Sequence, residues 1–376
     1  MARRRNPFTP TFGIVPTYLA GRDALLDNMA AAFEDGVGNP DLCTFLIGPR
    51  GSGKTALLSC IGNEAREQGW VVVDSVAEKG MLEDILQHFD SEASRFLPPE
   101  PARRLSGMSI GEVVGLEWET ADKAPTNWRM SMEARLKEVT KGGSGLLITV
   151  DEVRVDVDEM IQLASTYQLL VRQGLNVALV MAGLPSNVTE LVEDRRVSFL
   201  RRARQRQLGI LADYEVERAF RKTLEVAGAT IDAEALDVAV AASQGFPYMI
   251  QLVGYFMWAE SDGTLVISGD DARLGAHAAM KDFTTGILER TWGEMSNGDR
   301  AFARAMLPDT QGSTLTQVAQ RMGKTTSYAS TYKRRLMRQG VIGNRPNGTF
   351  DFDIPLMRSF LAGMEVADWG QVPIGH

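Results

Sequence analysis

A short glycine-rich segment, GPRGSGKT at positions 48–55, constrains the fold of this chain more than any other stretch. It lies between an apolar run, LCTFLI, and a segment typical of a helix, ALLSCIGNEAREQG. Because Gly48, Gly51 and Gly53 have no Cβ atom, successive backbone N–H groups in such a loop can converge on an anion. A helix that begins directly after the loop points the positive end of its dipole at the same anion. The spacing predicts a strand, a phosphate-binding loop and a helix, and so an α/β fold.

The loop predicts a nucleoside triphosphate, ATP or ADP with Mg²⁺, as the ligand. Lys54 can reach the β- and γ-phosphates, and the Thr55 hydroxyl is placed to bind Mg²⁺. The alternative is a glycine turn that matches the pattern by accident. The expected phosphate contacts cover the whole loop: Gly48, Pro49, Arg50, Gly51, Ser52, Gly53, Lys54, Thr55 and Ala56.

Composition limits the class of protein. With 376 residues, of which 44% are hydrophobic and 23% charged, the chain is long enough for two or three domains with apolar cores. No apolar run approaches the roughly 20 residues that span a bilayer, and MARRRNPFTPTF has no apolar stretch after its arginines. We therefore expect a cytoplasmic protein without a membrane partner. Three scattered histidines give no pattern for a zinc site.

A second motif, GLLITVDEV at positions 145–153, ends an apolar strand with two acids. Their carboxylates would emerge at the carboxyl edge of a parallel sheet, where α/β proteins bind ligands. We expect Asp151 to hold Mg²⁺ and Glu152 to polarise the attacking water as a general base. The alternative is that the acid pair simply ends a strand. No Asn-Lys-x-Asp motif for reading guanine is present, so ATP hydrolysis is favoured.

These motifs resemble the AAA+ and STAND ATPases, in particular the branch shared with archaeal and eukaryotic origin-recognition proteins. The resemblance covers roughly residues 10–360 and includes the segment IVPTYLAGRDALLDNM. It implies that Gly21 and Arg22 lie near the adenine, with Val15 and Pro16 as apolar contacts to the base. It also identifies LNVALVMAG, at 175–183, as the sensor strand, although Ala182 and Gly183 stand where the family has a polar residue.

An arginine-rich segment, RRVSFLRRARQRQLGIL, follows that strand. The family often has an arginine here that touches the γ-phosphate of a neighbouring subunit, which implies a homo-oligomer on ATP binding. Arg201 and Arg202 are the candidates. A solvated basic face is the alternative.

From Asp213 onward amphipathic helices replace the strands, and the resemblance implies a helical lid. Asp232 is placed as a helix N-cap. Gly245 and Pro247 resemble the Gly-x-Pro signature of STAND proteins, and the Pro247 ring is expected to lie against the purine. Tyr248 occupies the position of a sensing arginine in many AAA+ motors, which fits a switch better than a motor. Residues 81–128 are interpreted as an insertion with one helix and a strand pair.

The C-terminal part is a basic module on a chain of net charge −8. Residues 311–350 contain no Asp or Glu, and their order of two helices and a hairpin at Asn347-Gly348 resembles a winged helix-turn-helix. Ala329, Tyr332 and Leu336 would pack inward on the second helix. The residues predicted to contact double-stranded DNA are Ser327, Tyr328, Thr331, Arg334, Arg338 and Arg345. A protein-interaction or autoinhibitory module is the alternative.

The expected fold class is α/β: a P-loop NTPase core with a parallel sheet, an all-α lid and a C-terminal winged helix-turn-helix domain. We expect a core with an N-terminal arm at 1–212, a lid at 213–295 and a winged helix at 296–376. The leading function is an ATP-dependent switch that hydrolyses ATP slowly and binds duplex DNA. The alternative is a STAND-like signalling ATPase. A small-molecule kinase is disfavoured by the acid pair and the long helical C-terminal half.

Overall fold

A five-stranded parallel sheet forms the centre of the N-terminal part. The structure, a computed structural model, describes residues 5–11, 13–93 and 128–369. The sheet has the order β2-β3-β4-β1-β5, so the strand before the glycine-rich loop lies between β4 and β5. Its strands are β1 (Cys43–Ile47), β2 (Val71–Val76), β3 (Leu146–Asp151), β4 (Val177–Gly183) and β5 (Arg204–Gln207).

Apolar side chains on both faces of the sheet explain its position between helical layers. All seven residues of β4 are buried, as expected for a parallel strand covered on both sides. Phe45 packs into one apolar cluster and its neighbour Leu46 into the other, because successive side chains of a strand point to opposite faces. One face is covered by α1 (Asp23–Asp35) and α2 (Lys54–Glu67). The other is covered by α3 (Met81–Ala93), α4 (Trp128–Lys141), α5 (Asp158–Arg172) and α6 (Pro185–Glu193).

Two predictions concern the chain between α2 and β3. The helix expected at MLEDILQHF is α3. The strand pair expected at MSIGEVVGLEWET falls at 108–120 and lies outside the described residues.

The lid is helical, as the resemblance implied. The Asp232 carboxylate accepts a hydrogen bond of 2.7 Å from the Ala235 N–H, which confirms it as an N-cap. A π-helical turn, Thr284–Leu288, leads from the lid into the next helix. The elements are α7 (Asp213–Val226), β6 (Thr230–Ile231), α8 (Ala233–Ser243), α9 (Pro247–Glu260), β7 (Val266–Ile267), α10 (Gly269–Phe283) and α11 (Glu289–Glu294).

The N-terminal segment is held against the lid by a buried aromatic ring. Phe8 packs on Phe220 with ring centroids 5.9 Å apart, and a Cβ at Gly254 would lie 2.3 Å from the Phe8 ring. The Thr9 N–H donates to Gln251 Oε1 at 3.0 Å. The lid therefore fixes the chain that leads to Gly21 and Arg22.

The C-terminal module follows the expected order of helices and hairpin. Its turn differs from the prediction, because the Gly348 N–H donates to the Arg345 carbonyl at 3.0 Å. Pro346 and Asn347 are thus the central residues of the turn, and Gly348 follows it with a φ of 80°. The elements are α12 (Asn297–Met306), α13 (Leu315–Arg321), α14 (Thr326–Arg338), β8 (Ile342–Asn344), β9 (Phe350–Phe352) and α15 (Met357–Trp369).

One apolar cluster joins the C-terminal module to the lid. The cluster contains Phe220 and Val253 of the lid together with Phe302 and Phe350 of the module, and the last two rings stack with centroids 5.7 Å apart. Ala329 and Leu336 are fully buried in it and Tyr332 is half-buried, so the inward face of α14 is the predicted one. None of the helices in the described ranges is long and apolar enough to span a bilayer.

Candidate nucleotide site

The glycines of the loop at 48–55 adopt conformations that other residues disfavour. Gly51 and Gly53 have φ angles of 77° and 85°, in the left-handed region. A Cβ at Gly48 would lie 2.6 Å from both the Leu208 carbonyl oxygen and Ser52 Oγ. Gly53 immediately precedes α2, so the loop N–H groups lie at the positive end of the helix dipole. This geometry suits an anion.

Lys54 is folded back onto the loop. Its Nζ donates to the carbonyl oxygens of Gly48 at 3.0 Å and Pro49 at 2.7 Å. Burial lowers the pKa of Lys54 to about 8, and the nearby Asp151 carboxylate opposes part of this shift. An anion in the loop would favour the charged ammonium.

Thr55 and Asp151 meet although they come from separate elements. The Thr55 hydroxyl at the start of α2 donates to Asp151 Oδ2 at 2.5 Å, at the end of β3. Magnesium commonly takes one or two carboxylates and completes its shell with phosphate and water. The described residues contain no cluster of three or more His, Cys, Asp or Glu that could hold a metal ion. A magnesium ion that also binds phosphate and water needs no such cluster. The donor set fits Mg²⁺ bound together with a phosphate.

Glu152 has a strained backbone beside this pair. Its φ is 53°, which is unusual for a residue other than glycine, and its N–H donates to Asp151 Oδ1 at 2.8 Å. Strain of this kind concentrates at functional sites. The Glu152 side chain lines a cavity of about 310 Å³ that also includes Lys54.

Two cavities meet at the loop, and Lys54 lines both of them. The first lies at the carboxyl edge of the sheet; its walls include Arg50, Gly183, Asn187 and Glu190. The second measures about 220 Å³ and is lined by the N-terminal segment, the loop and the lid. This arrangement suits an elongated ligand with its base in the second cavity and its terminal phosphate in the first.

The second cavity contains most of the residues predicted near the adenine. Pro16, Arg22 and Pro247 line it, as do Ser52, Thr55 and Ala56 of the loop. Val15 and Gly21 are not among its lining residues. Ile14 takes the place predicted for Val15. Gly21 forms a turn with a φ of 64°, where a Cβ would lie 2.5 Å from Glu215 Oε1.

Two expectations from the resemblance concern polar groups near the terminal phosphate. At the sensor strand, Asn187 on α6 lines the first cavity and supplies a polar side chain beyond Gly183. Arg201 and Arg202 line neither cavity, and Arg201 Nε donates to the Val192 carbonyl at 3.1 Å. Their action on a neighbouring subunit stays a prediction.

Contacts join the C-terminal module to this site, and no local sequence pattern predicts them. Arg338 at the end of α14 forms an ion pair of 3.0 Å with Glu190, which lies 148 residues away on α6. The Ser186 hydroxyl donates to the Met337 carbonyl at 3.2 Å. Arg338 thereby lines the first cavity together with Lys54 and Glu152.

The cations of the basic module at residues 311–350 are only partly free of carboxylates once the chain is folded. Four of its seven cations have carboxylate partners from elsewhere in the chain: Arg321 with Asp309, Arg335 with Asp299, Arg338 with Glu190 and Arg345 with Asp353. Folding thus supplies the acids that the local sequence lacks. In this structure Arg338 and Arg345, both predicted to contact DNA, are engaged within the protein.

Comparison with known proteins agrees with this site. Residues 18–180 match the family described as AAA ATPase domain, and residues 285–361 match a domain of unknown function (DUF8462). No curated protein matches the chain. The phosphate loop and the acid pair lie inside the segment that matches the AAA ATPase domain.

Solved structures extend the likeness over the whole chain. ORC2 of Aeropyrum pernix, in its ADPNP-ADP complexes, is 14% identical with a TM-score of 0.61, and the match covers 96% of this chain and 98% of that one. The ADP form of the same protein is 15% identical with a TM-score of 0.55, at coverages of 96% and 98%. The Walker-type ATPase PABY2304 of Pyrococcus abyssi is 14% identical with a TM-score of 0.62, at coverages of 92% and 96%. The protein has the fold of these archaeal P-loop ATPases.

Lys54→Ala is expected to weaken Mg·ATP binding by on the order of 100-fold, because the β- and γ-phosphate charge loses its ammonium partner. Isothermal titration calorimetry measures the change. Lys281→Ala, which removes an exposed lysine of the lid, is the matched control and should bind as the unaltered protein does. Equal ATP affinity in the two variants would contradict the phosphate-loop assignment.

ATP affinity is expected to fall at alkaline pH. The free protein has Lys54 with a pKa of about 8. Bound phosphate raises that pKa, so binding above pH 8 requires proton uptake and weakens by up to about tenfold per pH unit. Below pH 8 the lysine is already charged and affinity should be level. Lys54→Arg keeps its charge and should bind with no such dependence; a level profile for the unaltered protein would contradict the role of Lys54.

Proposed function

We propose that this protein is an ATP-binding switch that hydrolyses ATP and binds duplex DNA through its C-terminal module. The observation that carries the proposal is that Lys54, which lines one cavity with Glu152, directly precedes Thr55, whose hydroxyl donates to Asp151. The AAA ATPase domain supports nucleotide binding, as do the complexes of A. pernix ORC2, which shares the fold.

Each residue of the site has a separate chemical task. The loop N–H groups and Lys54 neutralise the β- and γ-phosphates. Thr55 and Asp151 hold Mg²⁺, which, when bound, draws charge from the phosphate oxygens. Glu152 lies in the cavity of the terminal phosphate and accepts a proton from the attacking water. Asn187, which lines the same cavity, orients the γ-phosphate or that water.

The nucleotide is proposed to control how the C-terminal module docks on the ATPase core. Its α14 ends at the wall of the first cavity, through Arg338 and the Ser186–Met337 hydrogen bond. A nucleotide shifts a two-state balance only by binding one state better than the other. Because the terminal phosphate enters this cavity, ATP and ADP contact the docked module differently.

The DNA interface is proposed on the exposed face of α14 between Ser327 and Arg334. Ser327, Tyr328, Thr331 and Arg334 are all exposed there, on the side opposite the buried Ala329. Arg334 forms no ion pair within the described ranges, so its charge is available for a phosphate. Arg338 and Arg345 are omitted from the interface because both have carboxylate partners.

A signalling ATPase is the second candidate, and one observation favours it. The Arg338–Glu190 ion pair ties the C-terminal module to the ATPase core, as an autoinhibitory module would be tied. In that case a protein partner, rather than DNA, releases the module. Under either function, Arg201 and Arg202 are proposed to reach the γ-phosphate of a second copy in an ATP-bound oligomer.

Glu152→Gln is expected to bind ATP but to lose hydrolysis by about 10²–10⁴-fold, because the amide keeps the shape of the side chain and cannot accept a proton. Phosphate release under single-turnover conditions measures the loss, and ATP affinity measured in parallel controls for the fold. Equal turnover in both proteins would remove Glu152 from the mechanism.

DNA binding is expected to weaken with salt, with a log–log slope of about 0.9 for each phosphate neutralised. Arg334→Ala should flatten that slope by about one unit and leave ATP hydrolysis intact. Fluorescence anisotropy with a labelled duplex measures both. Arg221→Ala, at an exposed arginine of the lid, is the control and should keep the full slope. Absent or salt-insensitive DNA binding, with assembly that depends on nucleotide, would support the signalling ATPase instead.

A further inference from the structure

The wall of the first cavity includes an arginine from a different module than the one that holds the phosphate loop. Arg338 belongs to α14, whereas Lys54 and Glu152 come from the AAA ATPase domain. Its side chain is about half exposed and its partner Glu190 less so, at 57% and 31%. The guanidinium therefore lies at the boundary between the cavity and solvent.

The backbone around Arg338 holds this position closely. Gly340 has a φ of 70°, and a Cβ there would lie 3.1 Å from the Leu184 side chain and 3.5 Å from that of Arg50 in the loop. Just before it, the Met337 carbonyl accepts the hydrogen bond from Ser186. Contacts on both sides of Arg338 thus fix the end of α14 beside the phosphate loop.

Two arginines that line the first cavity, Arg154 and Arg338, differ in their ion-pair partners. Arg154 forms an ion pair of 2.8 Å with Asp156, which lies two residues further along the same loop. Arg338 contacts Glu190 through Nε and Nη2 only, at 3.0–3.1 Å. Its Nη1 has no partner among the described residues. A guanidinium with a free donor edge next to a phosphate site can accept a second anion.

We propose that Arg338 is a γ-phosphate sensor that acts within the same chain and exchanges Glu190 for the terminal phosphate of ATP. The proposal rests on the nucleotide binding proposed above and names how that site is regulated. ADP has no γ-phosphate, so it leaves Arg338 paired with Glu190. ATP offers a dianionic competitor for the same guanidinium and strengthens the docking of α14.

This exchange connects the nucleotide to the proposed DNA interface along one helix. Arg338 lies one turn after Arg334 on α14, at the opposite end from Tyr328. A change at the Arg338 end therefore acts on the whole helix as a rigid element, without a separate linker.

Calorimetric affinities for ADPNP and for ADP, each with Mg²⁺, test the exchange. In Arg338→Ala we expect ADPNP affinity to fall on the order of 10- to 100-fold, the value of a charge-assisted hydrogen bond, with ADP affinity unchanged. In Glu190→Gln the competing carboxylate is gone, so ADPNP affinity should rise severalfold. Arg321→Ala is the matched control, because it breaks an arginine pair with Asp309 in the same module away from the cavity.

The outcomes separate this inference from the proposal on which it rests. Failure of the unaltered protein to bind either nucleotide would overturn both. Normal binding by the unaltered protein, with the same ADPNP to ADP ratio in Arg338→Ala, would overturn the sensor alone. A fall in ADPNP affinity for Glu190→Gln would also contradict the exchange, since Glu190 would then help rather than compete. Thermal melting of each variant confirms that it is folded.

Discussion

The fold depends on one electrostatic arrangement, a cluster of backbone N–H groups and an ammonium at the carboxyl edge of a parallel sheet. Gly51 and Gly53 take left-handed conformations to form it, and the loop carbonyls hold the Lys54 ammonium in a partly buried position. A buried cation of this kind costs free energy unless an anion joins it. Asp151 ends β3 at the same carboxyl edge of the sheet, and Glu152 follows it directly. The two carboxylates therefore lie near the ammonium and the phosphate loop.

The lid and the C-terminal module complete the two ends of the ligand site. Pro247 and the N-terminal segment line the cavity suited to the base. The Tyr248 N–H donates to the Gly51 carbonyl at 3.2 Å, so the start of α9 lies directly against the loop. At the other end, Arg338 lines the cavity suited to the terminal phosphate. Lid and module share one apolar core, so the elements at the two ends of the site are in physical contact.

Local sequence was sufficient for the elements whose geometry is local. The loop, the Asp232 cap and the acid pair at the end of β3 depend on residues within a few positions of one another, and all were predictable. The parallel sheet followed from apolar β-branched runs separated by helices. The sequence did not show which side chains of the N-terminal segment face the second cavity. Ile14 lines that cavity, whereas Val15 was predicted to do so.

Contacts between distant segments could not be predicted. The acid-free stretch indicated a basic surface, but Asp299, Asp309 and Asp353 neutralise three of its arginines after folding. The pairing of Arg338 with Glu190 joins residues 148 positions apart, and no local pattern indicates it. The composition of a segment gives its own net charge. The electrostatic potential at its surface also depends on the charged residues that pack beside it after folding.

Through the proposed exchange at Arg338, the terminal phosphate controls how α14 docks on the ATPase core. Hydrogen–deuterium exchange of the intact protein, with ADPNP and with ADP, measures this directly. We expect the backbone amides of residues 184–190 and 335–341 to exchange more slowly with ADPNP, because the γ-phosphate replaces Glu190 as the partner of Arg338 and closes the interface. The same exchange rates in these segments with both nucleotides, while the loop at 48–55 is protected by each, would contradict the claim.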